Sequence, residues 1–71
     1  MIMHTVTQRE LDILQELAKG KTNQEIADTL FISRSTVKAH LEKLFFEFNV
    51  YNRVQLVMLA LKEGLISVNI L

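Results

Sequence analysis

Ser33-Arg34-Ser35-Thr36 places three hydroxyls and a guanidinium in succession, and Lys38, Ala39, His40, Glu42 and Lys43 follow within the next seven residues. A smaller polar cluster, Lys21-Thr22-Asn23, lies a dozen residues earlier. A hydroxyl nucleophile needs a base and a group that orients the base, and no Ser/His/Asp arrangement, carboxylate pair or glycine-rich phosphate loop stands out in the chain. His4 is the only other histidine and there is no cysteine, so neither a metal site nor a cofactor is expected. His40 reads instead as a packed or anion-facing ring. What these residue types do supply is hydrogen bonding to polar edges and to anions. Lysine donates to guanine O6 and N7 or to a phosphate, alanine touches a thymine methyl, and hydroxyls beside free helix amides suit phosphate oxygens. The chemistry is that of binding rather than catalysis.

The elements that position them are legible in the composition. The chain has 71 residues, 49% of them hydrophobic, with two glycines, no proline and no cysteine, which favours a single small helical domain held by apolar packing. The longest apolar run, Leu56 to Leu61, is far shorter than the roughly 18 residues of a membrane span, and Met1-Ile2-Met3-His4 lacks the form of a signal peptide. A cytoplasmic protein without membrane contact is expected. Formal net charge is zero, so distribution matters more than the sum. Six of the eight basic residues lie between Lys19 and Arg53, whereas Glu10, Asp12 and Glu16 gather in the first helix.

Thr7-Gln8-Arg9-Glu10 has the form of a capping box and opens a first helix over about 7–19. Leu11, Leu14, Leu17 and Ala18 make its buried stripe, Arg9, Asp12, Gln15, Glu16 and Lys19 face outward, and Gly20 supplies a left-handed end. A second box, Thr22-Asn23-Gln24-Glu25, opens a helix over 23–30 with Ile26, Ala27 and Leu30 on one side. Ser33 then caps a third helix after only a few residues, the connection length of a helix-turn-helix. Across 34–48, Val37, Leu41, Leu44 and Phe48 step by four, three and four, so Arg34, Ser35, Lys38, Glu42 and Lys43 point away from the core. Phe46, about 200° from Leu44, is exposed by this count and either meets a partner domain or covers nearby apolar surface. Asn49 is a left-handed cap, Asn52 caps a fourth helix over 53–63, and Gly64 ends it. That helix is apolar on nearly every side. Leu56, Val57 and Ala60 are assigned to the core, leaving Val54, Met58 and Leu61 as a second stripe, covered either by a two-fold mate or by the tail Val68 to Leu71.

Read as one string, Leu17-Ala18-x-Gly20-Lys21-Thr22-Asn23-Gln24-Glu25-Ile26-Ala27-Asp28-x-Leu30-Phe31-Ile32-Ser33-x-Ser35-Thr36-Val37-Lys38-x-His40-Leu41 resembles the LuxR/FixJ/NarL-type DNA-binding domain. Thr7-x-Arg9-Glu10-x-x-Ile13-Leu14, Asn52-Arg53 and Gly64-Leu65-Ile66 extend the resemblance over about residues 5–66. It implies a four-helix bacterial domain, the output half of a response regulator or quorum sensor, that binds promoter DNA as a dimer. It also implies that positions matching Lys38, Ala39 and Glu42 meet base edges. Those matching Thr22, Asn23, Ser33, Ser35, Thr36, His40 and Arg53 lie nearer phosphates. At Glu42, where many relatives carry a polar or basic residue, the carboxylate either accepts from cytosine N4 or, the stronger reading, lowers nonspecific attraction to phosphates. Glu47 replaces a usual lysine. Both acids imply modest DNA affinity for one monomer.

The expectation is therefore one all-α helix-turn-helix domain over 1–71, with its motif in 22–48 and a recognition helix at 33–48 in the major groove of double-stranded DNA. Arg34, Ser35, Lys38, Ala39 and Glu42 are the base-edge candidates, and Lys21, Thr22, Asn23, Ser33, Thr36, His40, Lys43 and Arg53 the phosphate candidates. Val54, Met58 and Leu61 are the candidate homodimer surface. RNA polymerase or a receiver domain is a further possible partner. Two alternatives stand beside this reading: a promoter- and polymerase-binding domain like sigma factor region four, and a protein-interaction module that uses the fourth helix and Phe46.

Overall fold

The computed structural model describes residues 6–67, so His4 and the tail Val68 to Leu71 lie outside the described residues. Four helices follow in order, α1 (Gln8–Ala18), α2 (Asn23–Leu30), α3 (Arg34–Phe48) and α4 (Arg53–Lys62). Each begins where a side chain can take over an orphan amide. Thr7 and Thr22 form complete capping boxes with Glu10 and Glu25, and Ser33 and Asn52 accept from the amides of Thr36 and Gln55. The expected spans of the first and fourth helices shrink by a residue at their ends, because Thr7, Lys19 and Glu63 are caps rather than helical residues.

The core is assembled from one stripe per helix. Ile13, Leu14 and Leu17 meet Ile26 and Ala27, then Val37, Leu41, Leu44 and Phe48, with Leu56, Ala60 and Ile66 completing it. Ala27 is 1% exposed, and its small side chain sits between two closely packed helices, the α2–α3 pair being the most extensively packed in the fold. The stripe expected on α1 is corrected by rotation about its axis. Ile13 is fully buried and Leu11 only half-buried, and Glu16, expected to face outward, is buried while its carboxylate reaches Lys19 at 2.9 Å and Lys21 at 2.7 Å. Beyond α4, Gln15 Nε2 donates to the Ser67 carbonyl at 2.6 Å and Ile66 packs inward, so the C-terminal segment is drawn back to α1. Among the described residues no helix is long and apolar enough to cross a membrane.

The turn between α2 and α3 holds a local conflict. Phe31 adopts φ 59 and ψ 43, a left-handed conformation disfavoured for a side chain with a Cβ, and its ring is 93% exposed. The conformation persists because it lets the Phe31 and Ile32 amides both donate to the Ala27 carbonyl, closing α2 and turning the chain into Ser33. Phe31→Asn should therefore raise stability by about 0.5–1 kcal/mol, since asparagine tolerates this region and little packing is lost. Urea midpoints measure it, and a lower midpoint for the variant would show that the ring contributes packing.

A buried acid ties α1 to α3. Glu10 is 1% exposed and has four hydrogen bonds to its carboxylate: one from the Thr7 amide at 3.1 Å, one from His40 Nδ1 at 3.1 Å, and one to each oxygen from Lys43 Nζ at 3.0 Å. An ionised carboxylate only accepts, so His40 carries its proton on Nδ1 here. Burial pushes the Glu10 carboxyl up, but the bonds from Lys43, Thr7 and His40 together outweigh it and hold the group below its ordinary range. A lowered folded-state value means that the stabilisation is complete above the unfolded value and is lost as pH falls through the folded one. Glu10→Gln should thus cost about 1.5–3 kcal/mol at pH 7, and the gap should begin to narrow below about pH 4, where the unfolded acid takes up its proton, and go on closing as pH falls through the lower folded value. Urea denaturation at pH 7 and pH 3 reads both; a gap as large at pH 3 would assign the loss to shape rather than charge.

Candidate nucleic-acid interface

The core side of α3 fixes what its other side presents. With 100° per residue, Val37, Leu41, Leu44 and Phe48 define the buried line, and Ser35, Ala39, Glu42 and Phe46 fall on the side opposite, all of them exposed. Arg34 and Lys38 flank that line toward α2 and α4. Thr36, His40 and Lys43 flank it toward α1. The five base-edge candidates, Arg34, Ser35, Lys38, Ala39 and Glu42, therefore share one accessible surface. Among the described residues neither Arg34 nor Lys38 has an ion-pair partner, so both cations are free to meet an external anion.

The N-terminus of α2 stands beside this surface. Thr22, Asn23 and Gln24 border one cleft with Arg34, Ser35 and Lys38, and Asn23 and Arg53 border a second with Lys38, Leu41, Glu42 and Phe45. Arg53 Nη2 donates to Asn23 Oδ1 at 2.7 Å, which brings the starts of α2 and α4 together. The caps use the amide of the third helical residue, so the first two amides of α2 and α3 keep no intrahelical acceptor, and the residues that carry them border the same cleft. That geometry is suited to phosphate oxygens on the rim of a groove.

The eight phosphate candidates divide by what already holds them. Thr22 accepts from the Glu25 amide at 3.2 Å, and Ser33 Oγ sits 3.0 Å from the Thr36 amide, 2.7 Å from Thr36 Oγ1 and 3.0 Å from Ser35 Oγ. These hydroxyls shape the helix starts and stay exposed. Lys21 is drawn inward to Glu16 at 2.7 Å and Thr29 at 3.1 Å. His40 and Lys43 both bind Glu10, and Lys43 also lies 3.5 Å from Glu47; the Glu10 carboxylate holds the Lys43 ammonium above its ordinary pKa. Periodicity misses the two holders, Glu10 and Glu16. Glu10 is visible in the sequence only as a capping residue, because its other partners lie thirty and thirty-three positions away. It also misses Gln24, which the amphipathic count places merely on a solvent side.

On the fourth helix Val54, Met58 and Leu61 are 68%, 64% and 38% exposed, while Leu56 and Ala60 are fully buried and Val57 is partly so. Val54 and Met58 line an apolar groove with Leu17, Ala18 and Val57. Phe46 is 88% exposed, so it does not cover surface of its own domain.

Residues 4–60 match the family described as bacterial regulatory proteins, luxR family. The nitrate/nitrite response regulator protein NarP of Escherichia coli strain K12 is 47% identical over 58 residues, which is 82% of this chain and 27% of NarP. The structure of the transcription factor GerE superposes with a TM-score of 0.87 at 28% identity, covering 94% of this chain and all of that one. A structure of the Vibrio cholerae VqmA dimer, described among LuxR-type receptors, superposes with a TM-score of 0.83 at 34% identity over 92% of this chain and 30% of its own. The chain thus spans less than a third of NarP and of VqmA. It belongs to the luxR family of bacterial regulatory proteins.

Proposed function

We propose that this domain binds a specific sequence of double-stranded promoter DNA, as a transcription regulator, with the first turns of α3 in the major groove. The observation that carries the reading is the exposed set Arg34, Ser35, Lys38 and Ala39, its two cations unpaired, beside the open amides of α2. A groove about 12 Å wide admits one helix, and the N-terminal turns are those that reach base edges. Lys38 and Arg34 then donate to guanine or phosphate, Ala39 meets a thymine methyl, and Thr22, Asn23, Ser33, Thr36 and Arg53 approach the backbone. Lys21, His40 and Lys43 contribute less directly, since acids of the domain already hold them. The likeness to NarP, a response regulator, supports reading the domain as the cytoplasmic output element of such a protein, with a receiver domain or RNA polymerase as its protein partner.

The domain acts as a homodimer through α4. Val54, Met58 and Leu61 recur at steps of four and three on one line of α4 and are exposed, as is Tyr51 just before the helix, so a second copy laid along this line would bury the three. The solved VqmA dimer supports the reading by likeness. Two recognition helices then address two half-sites.

Selection of bound duplexes from a random pool should enrich one motif, and Lys38→Ala should weaken binding to it by about 1–3 kcal/mol. Affinity measured by anisotropy should fall with salt at close to 0.9 log units per phosphate neutralised. Absence of any enriched motif would sink the proposal. Sedimentation tests the dimer: the wild type should exceed 8.2 kDa as concentration rises, whereas Met58→Glu should stay at the monomer mass. Equal masses for both proteins would remove the α4 interface from the reading.

A further inference from the structure

The second half of α3 carries a side chain that the reading above leaves unused. Phe46 lies on the same line as Ser35, Ala39 and Glu42, four residues beyond Glu42 and about 6 Å farther along the axis. Its neighbours toward the core turn in: Phe45 is half-buried, and Leu44 and Phe48 are core. Its own ring is 88% exposed, on a face whose other members, Ser35, Ala39 and Glu42, are small or polar. The α4 mate covers a different side. The grooves that Val54 and Met58 border are lined by α1, α4 and the turn before α4, and Phe46 borders neither.

We infer that Phe46 is a specificity-determining residue of the DNA interface, its ring packing on a thymine methyl beyond the pair that Glu42 faces. The inference rests on the DNA-binding reading of α3 and deepens it. A phenyl ring has no donor for a phosphate, and the thymine C5-methyl is the apolar group that the major groove offers. Ser35 to Phe46 spans about 16 Å along the helix, about three turns, so Phe46 follows Glu42 on the same face by little more than one turn. Beyond Ala39 this line holds Glu42 and Phe46, neither of which carries a positive charge to draw a phosphate.

Deoxyuridine substitution tests this directly, because it removes the methyl and leaves every hydrogen-bonding group in place. The probe is the duplex enriched by selection, with each thymidine replaced singly by deoxyuridine and binding followed by anisotropy. Apart from any loss at the thymine that Ala39 meets, which Phe46→Ala should leave unchanged, the wild type should lose about fourfold in affinity at the position that Phe46 covers, the worth of one buried methyl. Phe46→Ala should bind the unmodified duplex more weakly and show no further loss at that position, whereas Phe46→Leu should keep part of it. An unchanged thermal midpoint confirms that the exposed site leaves the fold intact. If Phe46→Ala shows the wild-type pattern of losses at every position, or weakens all duplexes equally, the inference is overturned. The first of those results would leave the ring to a protein partner. A selection that enriches nothing would instead remove the DNA-binding reading itself, and this inference with it.

Discussion

The Glu10 carboxylate is the contact on which the placement of α3 depends. Apolar packing alone sets a helix against a core with freedom to slide and rotate by small amounts, because dispersion contacts are individually weak and non-directional. Bonds from His40 and from Lys43, one turn apart on α3, to an acid fixed by its own capping box remove that freedom. The acid is anchored at the start of α1, so the register of α3 is referred to the first turn of the chain. The line Ser35, Ala39, Glu42 and Phe46 presents one defined aspect outward for this reason. A mobile α3 would spread the same side chains over several orientations and lose selectivity to entropy.

The same device redistributes charge. The sequence has eight basic and eight acidic residues, yet the pairing is uneven. Glu16 takes Lys19 and Lys21, and Glu10 takes Lys43, all toward the α1 side of the molecule. Among the described residues Arg34 and Lys38 are left without an acid on the opposite flank, next to the amide-rich starts of α2 and α3. A neutral chain therefore offers a local positive surface, built less from excess cations than from where its anions are spent. Glu42 lies at the edge of this surface, and among the described residues it has no ion-pair partner. Desolvating that acid against a phosphate would be unfavourable, which narrows the orientations in which α3 can settle.

Much of this was legible before any coordinates. The capping residues Thr7, Thr22, Ser33 and Asn52, the left-handed Asn49 and the α3 stripe all follow from local rules, because each depends on residues within one or two turns. The outward face of α3 followed from the same count. What stayed hidden is non-local or conflicts with a local preference. Glu16 looks solvent-facing because periodicity sees one helix at a time, whereas it is buried with its carboxylate paired to Lys19 and Lys21. Lys43 looked free because Glu10 is thirty-three residues away. Phe31 in a left-handed turn is a position where helix closure overrides the preference of the residue, and no propensity scale ranks a phenylalanine there.

The charge economy also bears on why the unit should be paired. In the proposed complex one copy would set two cations of α3 and a shared Arg53 against the duplex, a small number beside the six to ten phosphate contacts that give strong salt-dependent binding. Two copies joined through α4 double that number, and once one half-site is occupied the second binding event becomes intramolecular. A gain of this kind needs no further contact from either monomer, only a fixed spacing between the two α3 helices. The exposed α4 line of Val54, Met58 and Leu61 is set on the same core as α3 through Leu56 and Ala60. In the proposed dimer the spacing would therefore be a property of the packed domain, and the rigidity imposed at Glu10 would extend to the distance between half-sites.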